Sequence, residues 1–144
     1  MINNLSILLV EDDDVAAESV VRGVGKIAPE IPIIIAENGR VALDILNKTN
    51  KSEDLTYPFI ILLDINMPVM NGIEFLEEIR ASKKFKDLVI FILTTSNEDA
   101  DKTIAYQHNV AGYMVKSAVG PQFSKLATLL KYYQEAVELN QKSE

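Results

Sequence analysis

Three acidic residues, Glu11, Asp12 and Asp64, stand directly after apolar segments, and carboxylates in such positions can bind cations or attack phosphorus. Two further apolar segments end at Thr94 and at Lys116. If these segments are neighbouring parallel strands, the five polar side chains gather at one edge of one sheet. Carboxylates that are crowded together repel each other, so the cluster requires a divalent cation or a proton. The pattern therefore predicts a metal-dependent phosphate site.

The predicted metal is Mg²⁺, which prefers octahedral coordination by oxygen and keeps several of its waters. Glu11, Asp12 and Asp64 supply the negative charge that such an ion needs. A backbone carbonyl near Asn66 could be the neutral ligand.

The same residues suit phosphoryl transfer to a carboxylate. Asp64 can attack phosphorus and form an acyl phosphate. The transition state of this reaction spreads negative charge over three equatorial oxygens. We expect the metal, the Lys116 ammonium and the Thr94 hydroxyl to stabilise those oxygens.

The segments that end at these residues have the character of buried strands. They are rich in Ile, Leu and Val and are mostly continuous rather than alternating, as is typical of strands covered on both faces. Longer amphipathic stretches with helical periodicity separate them. The predicted strands cover about Ser6–Val10, Ile31–Ala36, Phe59–Leu63, Leu88–Leu93 and Ala111–Val115.

Five strands that alternate with five helices predict an α/β fold with a parallel sheet and helices on both faces. We expect a flavodoxin-like, doubly wound (βα)5 domain with the strand order 2-1-3-4-5. In that order, strands one and three are neighbours at the switch point where ligands bind. Glu11 and Asp12 end strand one and Asp64 ends strand three, so their carboxylates should converge.

The first helix follows the acidic run and contains two glycines. Asp13 and Asp14 are interpreted as residues that cap this helix and favour its dipole, rather than as members of the site. Gly23 and Gly25 lie inside the helix, where each costs up to ~1 kcal/mol relative to alanine. Close packing against another element is the reason that we expect for them.

The last two helices differ in their apolar content. The fourth, predicted over Glu98–Asn109, carries few apolar residues, and thin burial makes a segment easy to shift. The fifth, predicted over about Pro121–Leu139, has an apolar stripe that either covers the sheet alone or also forms a dimer seam at its outer end. The stripe consists of Phe123, Leu126, Leu130, Tyr133 and Val137.

Composition limits the classes of protein that fit. The chain has 144 residues, the size of one ordinary domain, and nearly half of them are apolar. It has no cysteine, no signal-peptide pattern and no apolar run near the ~20 residues of a membrane helix. The net charge of −7 disfavours binding to nucleic acid backbones. We expect one cytoplasmic domain over residues 1–144, without membrane or nucleic acid contacts.

As a set, four motifs resemble the receiver domains of response regulators in two-component signalling, of the single-domain chemotaxis type. The resemblance covers nearly the whole chain. It implies that Asp64 takes a phosphoryl group from a histidine kinase or phosphotransfer domain, and that Glu11 or Asp12, Asp64 and the Asn66 carbonyl hold Mg²⁺. It implies a signalling protein that catalyses only its own phosphorylation and dephosphorylation. The motifs are Leu8–Asp12, Leu63–Pro68 with Asn71 and Gly72, Leu93–Thr95, and Gly112–Lys116.

The resemblance also implies a conformational switch formed by Thr94 and Tyr113. A phosphoryl group on Asp64 adds charge and strong hydrogen-bond acceptors, towards which Thr94 could move. The vacated space would admit the Tyr113 ring and change the face formed by the fourth helix, fifth strand and fifth helix. That change would control binding of a downstream protein or homodimerisation, because no output domain is expected. The alternative is a partly buried Tyr113 that does not switch.

One position departs from the family pattern, which usually has a proline with a cis bond after the lysine. Here Ser117 follows Lys116, and a cis bond before serine would cost ~2.5–4 kcal/mol. We expect either a trans bond with a rearranged loop or a strained cis bond. An ammonium of Lys116 that pointed away from Asp64 would remove it from the predicted site.

Two other functions remain as alternatives. Asp64-Ile65-Asn66 faintly resembles the start of haloacid-dehalogenase-type phosphatases, but Asn66 cannot act as their general acid. A pure interaction module that is never phosphorylated would have no need for the repelling carboxylates. Turnover of a phosphomonoester would favour the first alternative, and absence of Mg²⁺ affinity the second.

Overall fold

Five strands form a single parallel sheet in the computed structural model, which describes residues 5–48 and 55–139. The strands are β1 (Ser6–Val10), β2 (Ile33–Ala36), β3 (Phe59–Leu63), β4 (Ile90–Thr94) and β5 (Gly112–Val115). Their order is β2-β1-β3-β4-β5, with β1 and β3 adjacent at the centre. The predicted fold class and strand order are confirmed.

Three strands have boundaries that differ from the prediction: β2 and β4 begin two residues later, β4 ends one residue later, and β5 begins at Gly112 rather than Ala111. Local hydrogen bonding explains the late starts of β2 and β4. β2 begins at Ile33 because the Ile31 N–H bonds to the Ala28 carbonyl in a turn, at 3.1 Å. β4 begins at Ile90 because the Leu88 N–H is likewise taken by a turn carbonyl. At the other end of β4, Thr94 is the last residue of the strand rather than the first residue after it.

The helices cover both faces of the sheet. They are α1 (Asp14–Ile27), α2 (Gly39–Leu46), α3 (Gly72–Ala81), α4 (Asp99–Gln107) and α5 (Ser124–Ala136). One apolar core lies between the sheet and α1 and α5, and the other between the sheet and α2, α3 and α4. β1, β3 and β4 are buried along their whole length, whereas the edge strands β2 and β5 are partly exposed. Continuous burial on both faces therefore applies to the three central strands.

The start of α1 and its first glycine have the roles expected from the sequence. Asp13 is the N-cap residue, and its carboxylate accepts hydrogen bonds from two backbone N–H groups of the first turn. A Cβ atom on Gly23 would collide with the backbone carbonyl oxygen of Gln122, so the glycine permits close packing. Gly25 has open space around its Cα, and packing does not explain it.

The segment between β5 and α5 differs from the predicted continuous helix. Lys116–Ala118 forms a 3-10 turn, and a second short turn over Pro121–Phe123 precedes α5. Gln122 and Phe123 are left-handed, with φ values of 54° and 59°, so α5 begins only at Ser124. The predicted start at Pro121 is therefore wrong. The predicted end at Leu139 is also wrong, because α5 ends at Ala136 and the next residue is extended.

The remaining apolar stripe of α5 does cover the sheet. Leu126 and Leu130 are buried, and the Tyr133 ring meets the Phe91 ring edge-on with 5.7 Å between centroids. None of the helices built from residues 5–48 and 55–139 combines the length and apolar character that crossing a bilayer requires.

Candidate metal and phosphoryl-acceptor site

Three carboxylates meet at the carboxyl edge of the sheet. One oxygen from each of Glu11, Asp12 and Asp64 lies within 4.8 Å of the other two. Glu11 and Asp64 are buried and Asp12 is exposed. The register explains the convergence, since Val10 at the end of β1 pairs with Leu63 at the end of β3. The residues that follow the two strands are therefore neighbours, as the strand order predicts.

Backbone contacts fix the two buried carboxylates. The Glu11 N–H donates to the Ala36 carbonyl at 2.9 Å, and the Asp64 N–H donates to the Val10 carbonyl at 3.0 Å. The Glu11 Oε2 atom accepts a hydrogen bond from the Asp13 N–H at 3.2 Å. These bonds continue the sheet by one residue beyond β1 and β3, so backbone hydrogen bonds position both acids.

The chain that leaves Asp64 turns at once into α3. The Asp64 Oδ1 atom accepts from the Asn66 N–H at 3.4 Å, and the Gly72 N–H donates to the Ile65 carbonyl at 2.8 Å. A Cβ on Gly72 would collide with the Asp64 carbonyl oxygen. Glycine at this position therefore lets α3 begin directly against the strand end that carries Asp64.

Lys116 reaches into the carboxylate cluster. Its Nζ atom lies 2.6 Å from Glu11 Oε1 and 3.7 Å from Asp64 Oδ2, and its side chain is only 13% exposed. Among the described residues the cis peptide bond is Tyr57–Pro58, so the Lys116–Ser117 bond is trans. Of the two expected bonds, the trans bond is thus the one found, and it lies within a 3-10 turn over Lys116–Ala118. The ammonium still points towards Asp64.

The charge state of Glu11 is set by its surroundings. Burial raises its pKa from the ordinary 4.5 to about 7, although the nearby Lys116 ammonium lowers it, and the Asp64 carboxylate raises it further. The Glu11 carboxyl therefore holds a proton readily near neutral pH. A divalent cation would replace that proton, and the hard oxygen atoms of the three acids are ligands of the type that Mg²⁺ takes.

On the other side of the cluster, Thr94 is completely buried at the end of β4. The Ser96 N–H donates to Thr94 Oγ1 at 3.4 Å, and the half-buried Tyr113 donates its hydroxyl to the Ser96 carbonyl at 3.0 Å. The Ser96 hydroxyl in turn donates to Asp101 Oδ2 of α4 at 2.5 Å. The structure thus connects the two predicted switch residues through Ser96, whose link to both was not predicted. The sequence held only an indirect signal, a serine just before the first turn of an acidic helix.

Arg80 is a second residue that the sequence reading missed. Its Nε atom donates to the His108 carbonyl at 2.7 Å, and Nη2 donates to the Asn109 carbonyl at 3.2 Å. Nη1 donates to the carbonyls of Lys86 and Leu88, each at 2.8 Å. Burial lowers the pKa of the guanidinium. Arg80 therefore joins the carboxyl end of α3 to the segment before β4 and to the carboxyl end of α4.

Comparison with known proteins gives a consistent family. Residues 7–128 match the sequence model of the response regulator receiver domain. The chain is 33% identical over 109 residues to a chemotaxis protein CheY homolog of Campylobacter jejuni, covering 76% of this chain and 79% of the relative. It is 32% identical over 111 residues to the response regulator Rcp1 of Synechocystis, covering 77% of this chain and 76% of the relative.

Solved structures are similar in fold over nearly the whole length. The Mn²⁺-bound form of Rcp1 superposes with a TM-score of 0.81 at 29% identity, covering 94% of this chain and 98% of that one. A two-component response regulator from Legionella pneumophila gives a TM-score of 0.78 at 38% identity, covering 92% and 99%.

Proposed function

This chain belongs to the response regulator receiver family, and from that premise we propose that Asp64 accepts a phosphoryl group from the phosphohistidine of a histidine kinase or phosphotransfer domain. The observation that carries the proposal is the position of Asp64. It is buried at the end of the central strand β3, beside two other carboxylates and 3.7 Å from an ammonium group. No ordinary structural role requires such a concentration of charge at one strand end.

The reaction transfers one phosphoryl group between two side chains. An Asp64 carboxylate oxygen attacks phosphorus, and the new P–O bond forms as the P–N bond of the phosphohistidine breaks. The electron pair of that bond returns to the imidazole nitrogen, which takes up a proton. Lys116, whose ammonium faces Asp64 Oδ2, stabilises negative charge near the accepting oxygen.

We assign the divalent cation that this chemistry uses to Mg²⁺, held by Glu11 or Asp12, by Asp64 and by the backbone carbonyl of Asn66. The support is the set of hard oxygen donors within 4.8 Å of one another and the Mn²⁺-bound form of the similar Rcp1. When bound, the ion supplies positive charge that offsets the carboxylates and the transferring phosphoryl oxygens. The ion pair between Lys116 and Glu11 would then weaken, and the Lys116 ammonium could pair more closely with Asp64.

The output of phosphorylation is a change on the face formed by α4, β5 and α5. Thr94 would turn towards the phosphoryl group, and the Tyr113 ring would move into the space that Thr94 leaves. Apolar side chains are exposed on both helices of this face, among them Tyr106 on α4 and Tyr132 on α5. We propose that the face binds a downstream protein or a second copy of this chain, in the cytoplasm, and that nucleic acid takes no part.

The test is incubation of the protein with acetyl phosphate and Mg²⁺, followed by measurement of the intact mass. We expect the addition of one phosphoryl group. No addition should occur when EDTA removes the Mg²⁺, and none should occur in Asp64→Asn. Asp13→Asn is the matched control, because Asp13 caps α1 next to the cluster without belonging to it. Addition that survives in Asp64→Asn, or no addition at all, would contradict the proposal.

The same samples separate the two alternative functions. Receiver domains are signalling proteins, so we expect at most one phosphoryl group per chain and no turnover of p-nitrophenyl phosphate. Sustained turnover would indicate a phosphatase. A protein that neither binds Mg²⁺ nor accepts phosphate would be an interaction module.

A further inference from the structure

The short segment between β4 and α4 is held from two sides through one residue. Ser96 gives its carbonyl oxygen to the Tyr113 hydroxyl and its own hydroxyl to the Asp101 carboxylate. Its N–H donates to the Thr94 hydroxyl oxygen, which is the group that would have to turn towards a phosphoryl group. Any movement of Thr94 is therefore opposed by whatever keeps Ser96 in place.

Asp101 is the part of this arrangement that belongs to a helix. It lies in the first turn of α4 and is half-buried, whereas Asp99 in the same turn is exposed. The N-cap residue of α4, Glu98, makes no capping hydrogen bond with its side chain. Among the described residues of that first turn, Asp101 is therefore the side chain that fastens α4 to the end of β4.

The charge on Asp101 acts on Tyr113, as does the charge on Asp64. Burial is the main cause of the raised pKa of Tyr113, and the carboxylates of Asp101 and Asp64 both raise it further. The fields of the two acids thus reach the same phenol group. A phosphoryl group on Asp64 adds more negative charge on that side, and like charges repel.

We propose that Asp101 is a positioning residue that holds the β4–α4 segment in its unphosphorylated arrangement by keeping the Ser96 hydroxyl. This proposal rests on the proposed function of Asp64. Phosphorylation has to release the Ser96–Asp101 hydrogen bond before Thr94 and Tyr113 can rearrange. Breaking the Ser96–Asp101 hydrogen bond costs free energy. Part of the free energy gained from the contacts of the phosphoryl group is therefore spent on the conformational change.

The experiment titrates the full chain, saturated with Mg²⁺, with beryllium fluoride, which mimics an aspartyl phosphate. Asp101→Ala is compared with Asp99→Ala, because both changes remove one acid from the first turn of α4 and leave alanine. We expect Asp101→Ala to bind beryllium fluoride about fivefold to tenfold more tightly than the unmodified protein, as release of one charge-assisted hydrogen bond permits. We expect Asp99→Ala to stay within about twofold.

Two further measurements separate positioning from a general effect on the fold. The Mg²⁺ affinity without beryllium fluoride should be the same in both variants, because neither residue belongs to the carboxylate cluster. Ser96→Ala removes the donor instead of the acceptor, together with the 3.4 Å hydrogen bond that the Ser96 hydroxyl oxygen accepts from the Glu98 N–H, and should also tighten beryllium fluoride binding. Adding Asp101→Ala to it should give no further gain, since the two residues then share one interaction.

The outcomes distinguish this inference from the function on which it rests. Equal or weaker binding in Asp101→Ala than in Asp99→Ala overturns the role of Asp101 while leaving Asp64 as the acceptor. Additive effects of the two single substitutions also overturn it. Failure of the unmodified protein to bind beryllium fluoride, or binding that persists in Asp64→Asn, overturns both.

Discussion

Helices α3 and α4 lie on the same face of the sheet and flank the same site, yet they are attached to it very differently. α3 buries Phe75, Leu76 and Ile79, and its first turn is closed by a capping box. α4 buries a single residue, Ala105, and has no side-chain cap. The α3 side of the site carries Asp64, and the α4 side carries the residues proposed to switch.

The difference separates a fixed part of the site from an adjustable part. Chemistry at Asp64 requires acids held at constant distances, which burial and backbone hydrogen bonds supply. A switch requires two arrangements that differ by only a few kcal/mol, and a thinly buried helix satisfies that condition.

Removal of a core side chain should affect α3 far more than α4. Phe75→Ala should lower the free energy of unfolding by ~3–5 kcal/mol, because Phe75 is completely buried and the substitution leaves a cavity. Ile104→Ala on α4 should cost less than ~1 kcal/mol, because Ile104 is 37% exposed. Urea denaturation followed by far-UV circular dichroism measures both. Equal losses would mean that α4 is as firmly packed as α3.

Arg80 is expected to be the strongest single attachment of α4. Arg80→Ala should cost ~2–3 kcal/mol, because four backbone carbonyls lose a charged donor. Arg80→Lys should recover only part of this, since an ammonium lacks the planar fork of the guanidinium. Arg22→Ala, which breaks only an exposed pair with Glu18, is the control and should change stability by less than ~0.5 kcal/mol. Amide hydrogen exchange should show the loss concentrated at the carboxyl end of α4.

Affinity for Mg²⁺ should depend on pH through Glu11, which lies beside Asp64 in the fixed part of the site. The pKa of Glu11 is raised to about 7. At a pH below this value Glu11 carries a proton that the cation must displace, and at a higher pH the carboxylate is free to bind the cation. The affinity should therefore fall roughly tenfold between pH 8 and pH 6, as calorimetric titration can measure. Glu11→Gln should lose this dependence, and Tyr113→Phe on the opposite side should keep it. A flat profile in the unmodified protein would exclude Glu11 from the metal site.

The helix caps should give the smallest contrast. Asn71→Ala should destabilise the protein by ~1 kcal/mol, because the Asn71 side chain accepts from the Glu74 N–H at 2.9 Å. Glu98→Ala at the start of α4 should stay within ~0.5 kcal/mol, because its side chain makes no cap bond. Thermal unfolding of the two variants under identical conditions checks the difference. A larger loss in Glu98→Ala would reverse the assignment of the weaker helix start.

Much of the fold and of the carboxylate cluster followed from the sequence, because both depend on where apolar segments end. β1 and β3 were predicted to the residue, and parallel pairing then brings Glu11 and Asp64 together whatever the loops do. The end of each strand can therefore be recognised from the residues next to it in the sequence, and these ends together define the edge that carries the site. The roles of its residues stay predictions until they are tested.

Other features depended on contacts that no local pattern contains. Arg80 donates to carbonyls up to 29 positions away, and any surface arginine would look the same in the sequence. Gln122 and Phe123 are not residue types that favour left-handed backbone, so the late start of α5 could not be read from them. A partial signal existed in Gly23, whose place inside a helix indicated that something approaches it closely.

The hydrogen bonds that Arg80 donates to the carbonyls of His108 and Asn109, just after the last turn of α4, have a geometric consequence. A helix of nine residues is about 13 Å long, so rotation about a fixed end moves the far end most. A tilt of about 10° would carry the first turn through about 2 Å while the last turn stays almost still. If Arg80 keeps the last turn of α4 in place, a shift of the β4–α4 segment near Thr94 would therefore tilt the helix and displace mainly its first turn.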